Sequence, residues 1–174
     1  MRFERVFLIS PPSSSRYGAL RVPAGMGHIA QALQNSNITY DLLDMRLGYN
    51  FKRLKSSLLA FQPDLVGISM ITLGYKNTYR MISQIKDTLP KTKIVVGGHH
   101  VTILKGKVLD ECNGIDFGVV ADGERTIVEL CKNNTRFDEI KGLMFRNNDQ
   151  IVFSGERPLV ENLDEYSFPK YEKF

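Results

Sequence analysis

Hydrophobic and polar positions along the chain follow two alternating periods, and each change of period marks a new element. Short apolar runs rich in β-branched residues predict strands over residues 5–10, 38–44, 64–69, 93–97 and 117–120. Apolar residues at helical spacing predict a first helix that begins at Pro23 or Ala24 and closes near Asn35-Ser36-Asn37, and further helices over residues 51–61, 75–89 and 124–131. Residues 101–112 predict a short helix or an irregular turn segment.

This alternation predicts the fold class. Successive β/α repeats favour an α/β, Rossmann-like fold with a doubly wound, five-stranded parallel sheet in the flavodoxin-like order 2-1-3-4-5. After the repeats, residues 142–146 and 151–154 predict a β-hairpin, and a Pro-rich, acidic tail follows. We therefore predict one α/β domain over residues 1–140, and a β-hairpin and linker tail over residues 141–174.

Small residues end the two inner strands of this predicted sheet. One run carries Gly67 and ends at Ser69, and the other ends at Gly97 and Gly98. We expect these ends to lie side by side and to leave a hollow at the edge where open α/β sheets bind ligands. The nearby loops are rich in glycine and hydroxyl groups, which suits a large polar ligand of little charge better than catalysis.

Composition restricts the classes of protein and partner. With 174 residues, 43% of them hydrophobic and 24% charged, the chain can bury one sizeable core. Its net charge of +4 is spread among acidic residues without a basic stripe, so we expect a solvated surface and no nucleic-acid partner. The two cysteines, Cys112 and Cys131, lie in helical patterns, and no apolar run approaches the roughly 20 residues that span a bilayer. The sequence predicts a soluble, cytoplasmic protein.

The chain lacks the sequence motifs of common cofactor and metal sites. A dinucleotide fold of the usual kind places Gly-x-Gly-x-x-Gly directly after its first strand, where this chain has Pro11-Pro12-Ser13, and there is no P-loop lysine motif. His99 and His100 suggest a metal site, but the spacing offers no third ligand. We therefore expect His99 to hydrogen-bond a neighbouring loop and His100 to face solvent. We assign no metal ligand and no catalytic residue.

Six segments, in this order and spacing, carry a family resemblance. The chain resembles the cobalamin (vitamin B12)-binding domain at the amino end of many cobalamin-dependent radical S-adenosylmethionine enzymes, a group that includes the anaerobic magnesium-protoporphyrin IX monomethyl ester cyclases. The matching segments are Leu8-Ile9-Ser10-Pro11-Pro12, Val22-Pro23-Ala24-Gly25-Met26-Gly27, Tyr40-Asp41-Leu42-Leu43-Asp44, Pro63-Asp64-Leu65-Val66-Gly67-Ile68-Ser69, Val95-Val96-Gly97-Gly98-His99 and Ala121-Asp122-Gly123-Glu124-Arg125-Thr126.

The resemblance implies a noncatalytic cobalamin-binding module of an enzyme for methyl transfer or oxidative cyclisation, with a tetrapyrrole as one candidate substrate. The chain has no Cys-x-x-x-Cys-x-x-Cys motif, so S-adenosylmethionine and a [4Fe-4S] cluster are expected only in a missing radical domain, its partner in the full-length protein. It also lacks an Asp-x-His-x-x-Gly signature, which implies cobalamin without a lower-axial histidine. The alternatives are a cofactor-free, flavodoxin-like docking or regulatory domain, and a phosphate-ligand enzyme with His28, His99 or His100 as its base.

The resemblance also implies a set of ligand contacts. The nucleotide arm of cobalamin would run between the third and fourth strands, and the corrin would lie near the long first loop and Gly123. Glu124 begins the last predicted helix, where an acid also stabilises the positive end of the helix dipole. The candidate contacts are Tyr17, Pro23, Ala24, Gly25, Ser69, Met70, Thr72, Gly74, Gly97, Gly98, His99, Gly123 and Glu124.

Overall fold

One mixed sheet forms the centre of the molecule. The computed structural model describes residues 2–12, 22–132, 136–148, 150–160 and 168–174, and in them seven strands pair in the order β2-β1-β3-β4-β5-β6-β7. The first five are parallel, whereas β6 and β7 run antiparallel to their neighbours, which confirms the predicted fold class and the order 2-1-3-4-5. The strands are β1 (Arg5–Ser10), β2 (Thr39–Asp44), β3 (Leu65–Ser69), β4 (Lys93–Gly97), β5 (Phe117–Val119), β6 (Leu143–Asn147) and β7 (Gln150–Phe153).

Helices cover both faces of the sheet. The α-helices are α1 (Ala24–Asn35), α2 (Phe51–Phe61), α3 (Tyr75–Thr88), α4 (His99–Leu104), α5 (Lys107–Glu111) and α6 (Glu124–Lys132), and 3-10 helices span Met45–Leu47 and Phe137–Glu139. Apolar residues of α1 and α6 pack with one face of the strands. Those of α2, α3, α4 and α5 pack with the other face. Two apolar layers, one on each side of the sheet, therefore form the core.

The segment after β4 differs from the prediction. In place of one short helix or turn over residues 101–112, α4 begins at His99, and a break at Lys105 separates it from α5. Lys105 has a φ of 48°, a left-handed value that a continuing α-helix does not allow. The early start of α4 brings both histidines into a helix.

The predicted hairpin extends the sheet beyond the parallel strands. Residues 143–145 of β6 pair antiparallel with β5, and β7 forms the edge. Ser154, directly after β7, is buried, and its hydroxyl accepts a hydrogen bond from the Leu143 N–H at 3.1 Å. The same hydroxyl lies within hydrogen-bond range of the carbonyl oxygens of Ile140 and Leu143. The end of the hairpin is thus fastened to the strand beside it.

Replacement Ser154→Ala should destabilise the fold by about 1 to 2 kcal/mol, because it removes the hydroxyl from buried backbone groups. Urea unfolding of the variant measures this loss. The matched variant Ser83→Ala, at an exposed position of α3, should change the free energy of unfolding by less than about 0.5 kcal/mol. Equal stabilities of the two variants would show that the hydroxyl does not fasten the hairpin.

Candidate functional site

A cavity of about 460 Å³ opens at the carboxyl edge of the sheet. It lies over the ends of β3 and β4, on the face that α1 and α6 cover, which is where the small residues are expected to leave a hollow. Its lining includes residues from β1, β3, β4 and β5, from α1, α4 and α6, and from the loop before α6. Its volume falls within the range of about 300 to 1,000 Å³ that is typical of small-molecule sites.

Small side chains in two cross-strand rows form the floor. Gly67 pairs with Leu8 on one side and Val95 on the other, and two residues further on Ser69 pairs with Gly97. A Cβ at Gly67 would lie 2.9 Å from Leu8 Cδ2, so the Leu8 side chain fills the space beside that glycine. A Cβ at Gly97 would lie no closer than 3.7 Å to another residue. The open space therefore lies over Ser69 and Gly97.

The walls come from α1 and α6. The first two turns of α1 contribute Gly25, Met26 and Ile29, and α6 contributes Glu124 and Ile127. Gly123, just before α6, brings the two walls together, since a Cβ there would lie 3.1 Å from Ile29 Cδ1. The absence of a side chain at Gly123 thus lets this loop pack directly against α1.

Thr102 joins the ends of two strands at the mouth of the cavity. Its hydroxyl donates to the carbonyl oxygen of Gly98 at 3.1 Å and accepts from the N–H of Ala121 at 3.0 Å. Gly98 follows β4, and Ala121 lies shortly after β5. One side chain therefore fixes the spacing between the two loops that border the opening.

Gly98 is required for a close approach between backbones. Its φ is 97° and its ψ is −177°, a combination that only glycine adopts readily. A Cβ there would lie 2.8 Å from the carbonyl oxygen of Met70. The N–H of Met70 also donates to the carbonyl oxygen of Gly97 at 2.7 Å. Gly98 thus joins β4 to the end of β3, and its backbone lines the cavity.

The structure brings seven of the candidate contacts together around the cavity: Gly25, Ser69, Gly97, Gly98, His99, Gly123 and Glu124. Pro23 and Ala24 lie at the start of α1, directly before Gly25, but do not line the cavity. Tyr17 lies outside the described residues.

Three candidate contacts lie elsewhere. Met70 is fully buried in the apolar layer on the opposite face of the sheet, because side chains alternate from Ser69 to Met70. Thr72 is exposed and pairs with His100, and Gly74 has a φ of 89° where it begins α3. These three residues do not line the cavity.

The two histidines have different environments. His99 is exposed and lines the cavity, whereas His100 has only 1% of its surface exposed. The prediction that His100 faces solvent is therefore wrong, because the helical start of α4 turns its ring toward the core. The His100 ring stacks on Tyr75 at 4.7 Å, and its Nδ1 lies 3.3 Å from Thr72 Oγ1. Burial lowers the pKa of His100 from its ordinary value, and the negative charge of Glu111 partly offsets that shift.

The cavity has little positive charge. None of the described residues that line it is a lysine or an arginine. Its acidic residues are Asp122 and Glu124, and the Oε2 atom of Glu124 is buried without a hydrogen-bond partner among the described residues. A buried carboxylate oxygen calls for a donor. The site can therefore accept a hydrogen bond from a bound amide or hydroxyl, and its described lining offers no lysine or arginine to a pyrophosphate.

Asp44 is engaged outside the cavity. Its buried carboxylate accepts hydrogen bonds from the Arg46 N–H at 3.1 Å and from Arg46 Nε at 2.8 Å. This side chain ends β2 and caps the 3-10 helix that follows. Within the described residues, no group of three His, Cys, Asp or Glu side chains could hold a metal ion. No helix in these ranges is long and apolar enough to cross a bilayer.

Sequence reasoning missed the apolar part of the lining. The period-two alternation of the strands could have placed Leu8 and Val95 on the face of Gly67, and helical spacing could have added Met26 and Ile29. The bridging role of Thr102 has no such local signal. The apolar lining residues missed are Leu8, Met26, Ile29, Ile68, Val95, Val96, Ile103, Val119 and Ile127.

Comparison with known proteins identifies relatives of the chain. The family model of the B12 binding domain matches residues 17–131. An uncharacterized methyltransferase of Pyrococcus horikoshii is 26% identical over 179 positions, covering 99% of this chain and 39% of that protein. The anaerobic magnesium-protoporphyrin IX monomethyl ester cyclase of Cereibacter sphaeroides is 29% identical over 150 positions, or 82% of this chain and 24% of the cyclase. The chain thus spans less than half the length of these relatives.

Solved structures share the fold. The cobalamin-dependent S-adenosylmethionine radical enzyme OxsB, with aqua-cobalamin and S-adenosylmethionine bound, has a TM-score of 0.79 at 17% identity, over 90% of this chain and 22% of the enzyme. The radical S-adenosylmethionine methyltransferase TsrM from Kitasatospora setae, with cobalamin and a [4Fe-4S] cluster bound, has a TM-score of 0.76 at 18% identity. That match covers 97% of this chain and 31% of the methyltransferase.

Alanine at the two adjacent glycines should change stability by different amounts. We expect Gly98→Ala to cost about 1 to 3 kcal/mol of stability, because its φ is left-handed and the new Cβ meets the Met70 carbonyl. Gly97→Ala should change stability by no more than about 1 kcal/mol, since its Cβ has space. Urea unfolding measures both values, and a larger loss for Gly97→Ala would mean that this part of the cavity is closed.

The buried His100 should make stability depend on pH. Its pKa is lower in the folded chain than the ordinary value of 6.5, so the unfolded chain binds the proton more tightly. The contribution of His100 to the free energy of unfolding should therefore be fully present above about pH 6.5 and should be lost as the pH falls below that value. His100→Phe keeps a ring for stacking on Tyr75. In urea unfolding at several pH values, its free energy of unfolding should decline less at low pH than that of the unaltered chain. Equal declines in both proteins would exclude His100 as the source.

Proposed function

The chain belongs to the B12-binding domain family, and we propose that it binds cobalamin at the cavity over Ser69 and Gly97 as one module of a radical S-adenosylmethionine enzyme. The observation that carries this proposal is a mostly apolar cavity, with no lysine or arginine among its described lining residues, beside two strands that end in small residues. Such a site suits a bulky, nearly neutral group such as the nucleotide arm of cobalamin.

The residues present fit that arm. Its flat base needs a narrow apolar space, which Gly97, Val95 and Val119 border. Its polar groups and the side-chain amides of the corrin need short hydrogen-bonding partners, and Ser69 and the unpaired oxygen of Glu124 are available in the lining. The corrin, too large for the cavity, would lie outside its mouth.

Cobalt would be bound without a histidine of this chain beneath it. Of the three histidines, His100 is buried on the opposite face, and His28 does not line the cavity. His99 lines the cavity near Gly98 and Thr102, where it would contact the arm. The bound cofactor supplies methyl transfer or redox chemistry at cobalt, and the residues of this chain bind and orient it.

The rest of the reaction would take place in other parts of a longer protein. S-adenosylmethionine and a [4Fe-4S] cluster would belong to a radical domain, and residues 141–174 would form the hairpin and linker toward it. In support, exposed large apolar side chains lie in the segments that follow β2, β3 and β4 and directly before α1, and such side chains suit contact with another domain. They are Val22, Leu47, Tyr49, Ile71, Leu73 and Ile103. Methyl transfer and oxidative cyclisation, with a tetrapyrrole as one candidate substrate, stay open, and the cytoplasm stays the predicted compartment.

Titration of the purified chain with hydroxocobalamin tests the proposal. We expect retained colour and a shifted visible spectrum, and we expect Gly97→Leu to weaken affinity at least about tenfold, because its side chain would fill the space of the arm. Ser83→Leu adds the same side chain on the exposed surface of α3 and should bind like the unaltered chain. Gly97→Leu must keep the circular dichroism of the folded protein for the comparison to hold.

Three outcomes would contradict parts of this proposal. A chain that retains no cobalamin would favour the cofactor-free docking or regulatory domain. Unchanged affinity of Gly97→Leu would place the arm elsewhere. Nitrogen splitting in the electron paramagnetic resonance spectrum of bound cob(II)alamin that disappears in His99→Ala would show that His99 is an axial ligand.

A further inference from the structure

The first turn of α1 is an intrinsically weak part of the cavity wall. Its N-cap residue, Pro23, makes no side-chain hydrogen bond, and the turn carries no acidic residue that would favour the helix dipole. Gly25 and Gly27 both lie in this stretch, and glycine is a poor helix former. The same stretch supplies Met26 to the lining of the cavity. A wall of this kind depends on support from outside the helix.

Residues 168–174, called the strap below, pack directly against that turn. The Lys170 N–H donates to the carbonyl oxygen of Gly27 at 3.0 Å. A Cβ at Gly27 would lie 2.6 Å from Tyr171 Cε1 and 2.9 Å from Pro169 Cβ. The strap therefore occupies the space of the side chain that position 27 lacks. None of the described residues of the strap lines the cavity.

The far end of the strap is fastened to β2 and the core. Lys173 Nζ donates to the carbonyl oxygen of Tyr40 at 2.6 Å and lies 4.6 Å from the centre of the Tyr40 ring. Phe174 packs against the apolar layer that α1 and α6 share, and its ring meets that of Tyr171 edge to face. With one end on β2 and the other on Gly27, the strap holds the first turn of α1 against the body of the domain.

We propose that the strap positions the first turn of α1 and thereby sets the affinity of the cavity for cobalamin, with Tyr171 and the Lys170 N–H as positioning groups. The inference rests on the cobalamin function proposed above. When the strap is displaced, the turn spends part of its time out of the geometry that binds the ligand. The apparent affinity then falls in proportion to the fraction of molecules that keep the binding geometry.

Affinity for hydroxocobalamin tests the role of the strap in the 174-residue chain. Tyr171→Ala removes the ring that covers Gly27, and Gly27→Ala displaces the strap from the helix side. Each should raise the Kd about threefold to tenfold, the effect of one or two lost contacts. Alanine strengthens a helix relative to glycine, so weaker binding by Gly27→Ala cannot arise from a loss of helix propensity.

Two variants serve as controls. Phe168→Ala alters the same segment at a side chain that is 93% exposed, and it should bind with unchanged Kd. Tyr171→Phe keeps the ring on Gly27 and should restore the affinity that Tyr171→Ala loses. A strap with only a structural role would lower the Tm of Tyr171→Ala and leave its Kd unchanged, and that result would overturn the inference.

Hydrogen exchange measured without cofactor tests the role of the strap independently of the proposed cobalamin binding. The amides of Gly27, His28 and Ile29 should exchange about threefold to tenfold faster in Tyr171→Ala than in Phe168→Ala. Equal exchange rates in the two variants would contradict the proposed role of the strap, even if the chain binds cobalamin. Faster exchange in a chain that does not bind cobalamin would refute the proposed function while leaving the mechanical role of the strap intact.

Discussion

The site depends on a packing constraint: two neighbouring strands carry little side-chain volume on one face near their carboxyl ends. Register places Gly67 between Leu8 and Val95, and Ser69 beside Gly97. Side chains normally fill the layer between a sheet and its helices to the density of an organic crystal. At Ser69 and Gly97 the sheet contributes a hydroxymethyl group and a hydrogen atom, so the layer under α1 and α6 stays open.

The opposite face of the same strands makes the packing contacts that the face with the cavity lacks. Strand side chains alternate, so Ile68 and Val96, next to the small residues in sequence, are buried on the other side with Met70. There the layer is filled, and Gly98 brings β4 into backbone contact with Met70. A cavity forfeits dispersion contacts. The filled face keeps β3 and β4 in place while their other face stays available to a ligand.

The local sequence pattern was sufficient to predict the order of strands and helices and the small residues at the opening, because both depend on short stretches of sequence. It was misapplied at Met70, which strand alternation turns away from Ser69, and at His100, which is buried because α4 begins at His99. Where long-range contacts decide, local pattern was not sufficient. Thr102 lines the cavity by joining Gly98 to Ala121, a contact that only the folded chain brings about.

Strand order by itself does not select a ligand, since the order 2-1-3-4-5 occurs in proteins that bind quite different molecules or none. Charge and missing volume make the distinction. A carboxylate disfavours a pyrophosphate beside it, and the described lining offers an unpaired Glu124 oxygen and no lysine or arginine. The mostly apolar volume over Ser69 and Gly97 instead suits a bulky and nearly neutral group. For this reason the cavity is stronger evidence for cobalamin as the ligand than the strand order is.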